Sequence, residues 1–507
     1  MACTTYSGAV LGVDGHLVRV EVDLVRRLPA TVIVGLPSGE VRESVERVRS
    51  AILSTGLEYP RMRVTVNLGP ADLRKAGTGF DLPIAVGILA ASGQIPIAAL
   101  RGLLFSGELS LGGELRAVRG ALPLCAMAVE QGLTGAVFPV GSAAQAAVVP
   151  DIEVFSALNL GAVVAALRGE VNLPVARPQI ARGQSGALDL SDVRGQPMAR
   201  RALEIAAAGG HNLLMVGPPG VGKTMLASRL PSILPAMNFE EALQASRIHS
   251  VMGLLPEGRS LLEQRPFRAP HHSITCAGMI GGADLRPGEA SLSHRGVLFL
   301  DEMPEFSKSV LELLRGPLEV REIVLSRSRG TVRFPAAFSL VASANPCPCG
   351  YLGHPTRPCR CGETVVRRYQ SRISGPLIDR MDLNVAVEPI EPSALFQQAP
   401  CETSAVVRDR VEAARERQRG RFIGTALSCN ADMDASAVRS LCELTDDARK
   451  LLCDAVGALS LSGRGHDRVL KVARTIADLA GGQVVEPGHI AEAVAFRGQE
   501  AEAACWD

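Results

Sequence analysis

The chain has 507 residues, 47% of them hydrophobic and 21% charged, the make-up of a soluble globular protein too long for one ordinary core, so two or three domains are expected. A formal net charge of +1 and an aromatic content of 4% leave little for a large base-stacking platform and place the burden of any nucleic-acid contact on local arginines. Met1–Tyr6 shows no basic stretch followed by an apolar one, and runs such as Leu82–Ser92 are too short to span a membrane, so a cytoplasmic protein without a membrane partner is expected. In that compartment the 12 cysteines are expected to be reduced, and a cluster of them suggests metal before disulfide.

Residues 1–167 read as an α/β domain. Val32–Pro37 is a strand ending in a turn, Val41–Leu53 has helical spacing, and Met62–Leu68 alternates like a half-buried strand. Phe105–Leu115 reads as a hairpin turning at Gly112-Gly113. Residues 168–187, with Pro174, Pro178, Gly183 and Gly186 and few large apolar side chains, read as a linker. From 188 to 390 strands alternate with helices, the pattern of a doubly wound α/β core. Residues 391–507 read as helical, with segments at Ala405–Arg419, Asp434–Cys442, Asp446–Leu459, Arg468–Ala480 and Pro487–Ala495.

Asn212–Val216 is a short apolar strand. It runs into Gly217-Pro218-Pro219-Gly220-Val221-Gly222-Lys223-Thr224 and then into helical Met225–Leu230. This is a complete phosphate-binding loop in its strand–loop–helix context. The glycines let backbone N–H groups turn in around phosphate oxygens, and the helix N-terminus adds partial positive charge. Lys223 is expected to reach the β- and γ-phosphates of ATP, and Thr224 to ligate Mg²⁺. A second apolar strand, Val297–Leu300, ends in Asp301-Glu302. Asp301 fits an inner- or outer-sphere role toward Mg²⁺, and Glu302 fits the base that polarises the attacking water. A third, Ser339–Ala344, ends in Asn345, which either orients the same water or merely opens a turn before Pro346. Arg380 is either a finger offered to the γ-phosphate of a neighbouring chain or a surface ion pair to Asp379 or Asp382.

Arg265–Ser273 (RPFRAPHHS), Arg286–Glu289 (RPGE), His294–Glu302, Ala344–Gly350 (ANPCPCG) and Arg372–Arg380 together resemble the ComM/YifB-like branch of the magnesium-chelatase-related AAA+ proteins. The resemblance implies a homohexamer with ATP between subunits, Asn345 as γ-phosphate sensor, Arg380 as finger, and Arg464 in Ser462-Gly463-Arg464 as a second sensor facing ATP, with Arg468 and Arg474 close by. It implies a helical lid for 391–507 and a Lon-protease-like domain for 1–167. Where Lon proteases carry a Ser–Lys pair, this chain has Ala76–Asp81 without the serine and Pro123 near the lysine's place, so no peptidase activity is expected.

Closely resembling proteins are DNA branch-migration helicases that act when transforming DNA is integrated, which makes branched or single-stranded DNA the expected partner. Glu322–Phe334 reads as a hairpin turning near Arg329-Gly330. Its Arg327, Arg329 and Arg333 either contact phosphates or decorate a solvated tip. A chelatase-like or remodelling ATPase acting on a protein partner stays as the alternative. Cys347, Cys349, Cys359 and Cys361 either close a tetrahedral Zn²⁺ site or stay as unligated thiols, with His354 near enough to replace one ligand. His271 and His272 are expected to face opposite ways, which disfavours a shared metal and suggests a role in subunit contact or conformational coupling.

Overall fold

The computed structural model describes residues 2–179, 188–256, 259–282, 285–327, 330–389, 401–459 and 461–502. The chain divides into two compact units. The first comprises Met1–Gly183, Ala242–Leu262 and Leu285–Pro287; the second comprises Gln184–Glu241, Glu263–Asp284 and Gly288–Asp507.

The first unit is built on strands β1 (Ala2–Leu11), β2 (Asp14–Val25), β3 (Ala30–Val34), β4 (Arg63–Gly69), β5 (Leu103–Phe105), β8 (Gly135–Pro139) and β9 (Glu153–Ala157). They form one mixed sheet in the order β3-β4-β2-β1-β5-β8-β9. In β2, Val18, Val20, Val22 and Leu24 are buried while Arg19, Glu21 and Asp23 face water, the period-two pattern of a strand with one covered face. The helix Asp81–Ala91 is buried at every position and packs on β1 and β2. Two short strands, β6 (Glu108–Leu109) and β7 (Leu115–Arg116), pair antiparallel around the turn expected at Gly112-Gly113.

The segment expected to open a linker carries structure of its own. The Ser156 N–H donates to Pro174 O at 2.9 Å and the Ala176 N–H donates to Val154 O at 2.8 Å. Residues 174–176 thus satisfy part of the free edge of β9, a local solution to the unpaired groups of an edge strand. Residues 180–187 lie outside the described residues, as do residues 390–400, where the sequence suggested the start of the helical region.

The second unit centres on a parallel sheet of β10 (Leu213–Val216), β11 (Phe267–Arg268), β12 (Val297–Leu300), β15 (Ser339–Ala344) and β16 (Leu383–Ala386). The order is β11-β12-β15-β10-β16, with every neighbouring pair parallel. β10, β12 and most of β15 and β16 are buried, which is why they read as continuous apolar runs. Strand β10, the first of this sheet in the sequence, lies between β15 and β16, so the order reverses beside it. Ligands bind at the carboxyl ends of parallel strands at such a switch point. Between β12 and β15 the chain forms a two-stranded ribbon of β13 (Glu322–Arg327) and β14 (Gly330–Pro335).

Helices follow at Ser404–Arg421, Ala435–Leu441, Asp446–Ala458, Gly463–Ala480 and Pro487–Glu502. Their apolar faces share one core with the sheet: Val407, Val411, Val469, Ile476 and Phe496 belong to the same buried cluster as Leu213, Met215, Val341 and Val385. The fourth helix starts five residues earlier than its apolar spacing indicated. Ser462 Oγ accepts the Gly465 N–H at 3.1 Å and caps it, so Arg464 lies in the first turn. Among the described residues, no helix is long and apolar enough to cross a membrane.

Candidate functional site: a nucleotide pocket at the strand ends

The loop after β10 returns to the helix Lys223–Ile233 through Gly222, whose φ of +91° is left-handed. A side chain there would be strained, which is why the last loop position is glycine. Lys223 is folded inward. Its Nζ donates to Gly217 O at 2.6 Å, to Pro218 O at 2.9 Å and to Asn345 Oδ1 at 3.0 Å. Burial pushes its pKa down to about 8, against the pull of Asp301 and Glu302.

Thr224 Oγ1 donates to Asp301 Oδ2 at 2.8 Å, and Ser343 Oγ donates to Asp301 Oδ1 at 2.5 Å. The same Ser343 Oγ accepts the Glu302 N–H at 2.9 Å. Ser343, on the strand that leads to Asn345, was missed in the sequence. It fixes both carboxylate-bearing residues, and its only sequence signal is a polar residue inside an apolar run. Glu302 has a φ of +52° and is exposed, so the backbone turns its side chain out of the strand line toward open space. Thr224 and Asp301 form a pair of hard oxygen donors suited to Mg²⁺.

A cleft of about 350 Å³ opens beside them and is lined by Thr224, Asp301, Glu302, His271 and His272, among others. The two histidines therefore face the nucleotide side. They follow β11 in a loop instead of sitting on a strand, so alternation does not apply, and their rings lie 4.0 Å apart. Arg268 holds this loop through two hydrogen bonds to Glu289, at 2.6 and 2.8 Å. His294 is buried, accepts the Ala337 N–H on Nδ1 at 3.0 Å, and is pushed down to about 3 by burial and by Arg295 and Arg321; it is a neutral structural residue.

The arginines lie apart from this group. Arg380 pairs with neither Asp379 nor Asp382. Its guanidinium donates to Pro376 O at 2.6 Å and to Glu319 Oε2 at 2.8 Å, and the residue is 9% exposed. Arg464 lies 3.6 Å from Glu319 Oε1. It thus pairs with the partner of Arg380, and none of the bonds around Lys223, Thr224 or Asp301 comes from it. Arg468 pairs with Asp379 at 2.9 Å, and buried Arg474 pairs with Asp478 at 3.0 Å, so both serve the framework. Asp382 is buried. Burial opposes its charge, but His211, Arg468 and the Asn212 N–H hold its carboxyl well below the usual range.

On the ribbon, Ile323, Leu325, Val332 and Phe334 face inward while Arg327 and Arg333 are exposed. Arg333 pairs with Glu322 at 3.1 Å; Arg329 lies outside the described residues. The sulfurs of Cys347, Cys349, Cys359 and Cys361 lie within 4.8 Å of one another.

Comparison with known proteins agrees with this arrangement. Residues 189–395 match the family described as magnesium chelatase, subunit ChlI; residues 20–142 match subunit ChlI of Mg-chelatase; residues 401–497 match its C-terminal part. The chain is 43% identical over 501 residues to competence protein ComM of Haemophilus influenzae, covering 97% of this chain and 96% of that one. It is 42% identical over 496 residues to the uncharacterized protein YifB of Escherichia coli, with 97% and 96% covered. The magnesium-chelatase 38 kDa subunit of Rhodobacter capsulatus is 26% identical over 175 residues, 31% of this chain and 49% of that one. A phosphate loop, an Asp-Glu strand end and a third strand ending in asparagine, with kinship along nearly the whole chain, lead to one conclusion: this chain belongs to the ComM/YifB family of magnesium-chelatase ChlI-related AAA+ proteins.

Proposed function

We propose that the chain is a cytoplasmic, ATP-hydrolysing motor that assembles as a homohexamer and drives DNA branch migration during integration of transforming DNA. The observation that carries the ATPase part is the junction of three strand ends: Lys223 bonded to Asn345, and Thr224 bonded to Asp301 beside Glu302. ATP phosphates replace the loop carbonyls and Asn345 as partners of the Lys223 ammonium. Mg²⁺, held by Thr224 and Asp301, supplies charge neutralisation across the phosphates. Glu302 accepts the proton of the attacking water, and Asn345 holds that water against the γ-phosphate. Arg380 exchanges Glu319 for the γ-phosphate bound by the adjoining chain, with Arg464 beside it, so both arginines act across a subunit seam.

The DNA part is supported by the resemblance to a competence protein along 97% of the chain and by Arg327 and Arg333 on an exposed ribbon. Pairwise identity is 43% over 97% of the chain to the competence protein and 26% over 31% of the chain to a magnesium-chelatase 38 kDa subunit, which weighs toward the DNA reading over a chelatase-like motor for a protein partner. The Lon-like first unit serves assembly or substrate guidance in this reading. Purified protein is expected to migrate a branched DNA junction with ATP and Mg²⁺, and Lys223→Ala to abolish it. Equal migration by both proteins, or ATPase stimulated only by a protein partner, would remove the DNA reading.

A further inference from the structure

Four sulfurs from two Cys-x-Cys segments meet beside the phosphate loop. Cys347 Sγ lies 3.4 Å from Cys349 Sγ and 3.6 Å from Cys359 Sγ, and Cys349 lies 3.6 Å from Cys359. None of the four is in a disulfide. A tetrahedral ion with metal–sulfur bonds of about 2.3 Å sets its sulfurs roughly 3.8 Å apart, so the cluster already has nearly the required size. Backbone N–H groups of Gly350 and Leu352 are directed at Cys347, those of Tyr351 and Arg360 at Cys349, and the Cys361 N–H lies 3.4 Å from Cys359 Sγ. An all-sulfur tetrahedral set selects zinc over the hard ions.

The cluster is also mechanically tied to the nucleotide pocket. Asn345, the partner of Lys223, stands two residues before Cys347, and Gln370 Nε2 pins the intervening Pro346 O at 3.1 Å. Inside the cysteine loop, Gly350 has a φ of +80° and lies flat on Pro219 of the phosphate loop. A Cβ at Gly350 would fall inside contact distance of Pro219 Cδ and 3.1 Å from its Cγ. The closed cysteine loop and the phosphate loop are therefore fitted surfaces.

We propose that Cys347, Cys349, Cys359 and Cys361 hold one Zn²⁺ ion, and that the metal-closed loop braces the phosphate loop through Gly350 on Pro219, making ATP affinity depend on the metal. Zn²⁺ entry displaces the thiol protons to solvent and needs no oxidant. The bracing half rests on the reading that the loop at Lys223 binds ATP.

The test uses the full chain purified without a metal-affinity resin. Elemental analysis is expected to find one zinc per chain. A soft chelator used with excess Mg²⁺ is expected to remove the zinc and weaken binding of a fluorescent ATP analogue by about fivefold or more, the loss of one ordinary stabilising contact. Added Zn²⁺ restores it. The Cys349→Ser/Cys359→Ser double variant is expected to lose the zinc and the affinity together, whereas Gly350→Ala keeps the zinc and loses affinity. Stripping and reloading the natural chain decides the matter if the double variant does not fold. Zinc-free protein with full ATP affinity overturns the proposal, as does stripped protein of unchanged affinity, or stoichiometric iron in place of zinc. Lys223→Ala separates the two readings. It keeps its zinc and loses nucleotide if both hold; if zinc-loaded natural protein takes up no nucleotide, the ATP reading fails and the bracing claim with it.

Discussion

Two inactive variants of this chain are expected to rescue each other when mixed. Glu302→Gln keeps Lys223, Thr224 and Asp301 and so binds ATP and assembles, but it lacks the proton acceptor. Arg380→Ala keeps a complete pocket but offers no guanidinium to its neighbour. Removal of such a finger costs about 10³- to 10⁵-fold in turnover, so each variant alone is nearly silent. Arg380 touches Glu319 and Pro376 and none of the groups around Lys223, and in the proposed reading its target is the nucleotide held by the adjoining chain. In a random equal mixture, half the pockets have Glu302 and half of those face an intact Arg380. Turnover is then expected to reach about a quarter of the natural value, far above the sum of the separate variants. Phosphate release by a coupled assay measures it. A mixture that stays at the sum of its components would show that Arg380 acts within its own chain or not at all.

Glu319→Gln frees both Arg380 and Arg464 from a half-exposed carboxylate, and since exposed ion pairs are weak, ATP turnover of the assembled protein is expected to rise about 1.5- to 5-fold; a loss close to that of Arg380→Ala would make Glu319 a positioning residue. Lys223, brought down to about 8 by burial, is nearly all ammonium only well below that pH and gains its partner from phosphate, so ATP binding takes up a proton as pH rises through and above it. Affinity measured by calorimetry should fall above about pH 8 by at most tenfold per unit, and a flat profile to pH 9.5 would contradict this. Asp382→Asn leaves His211 and Arg468 facing an uncharged amide in a buried site and is expected to cost about 3–5 kcal/mol in urea unfolding, with a cost near zero as the opposing result. Because the folded pKa of Asp382 lies below its unfolded value, its contribution is complete above the unfolded pKa and is lost as pH falls through the folded one. Arg327→Ala is expected to lower the slope of log DNA affinity against log salt by about one, and an unchanged slope would remove the ribbon from the DNA contact.

What the sequence disclosed was local. The alternation of Val18, Val20 and Val22, the apolar strand before Gly217 and the helical periods after residue 404 each depend on neighbours a few positions away. The same holds for the phosphate loop and the Asp-Glu strand end, whose spacing is imposed by one turn of backbone. What stayed hidden was set by partners distant in the chain. Glu319 meets Arg380 across 61 residues, and no local pattern marks it. Ala242–Leu262 lies within the span read as the doubly wound core, yet groups with the first unit. Residues 174–176 have the composition of a linker, but their backbone N–H and C=O groups find an edge strand, and composition does not register that. The histidine pair was misplaced because a two-residue strand, Phe267–Arg268, ends before it, so strand alternation was applied to a loop. Gly350 is one glycine among 51, and only its seat against Pro219 shows why it is there.

The central claim is hydrolysis of ATP in a pocket completed by a second copy. Phosphate release per chain should be measured with ATP and Mg²⁺ across a dilution series, alongside the assembly state of each sample. The account predicts that turnover per chain rises steeply with concentration to a plateau as assemblies form, and that Lys223→Ala is silent throughout. Turnover per chain that stays constant down to concentrations where the protein is a monomer would contradict it.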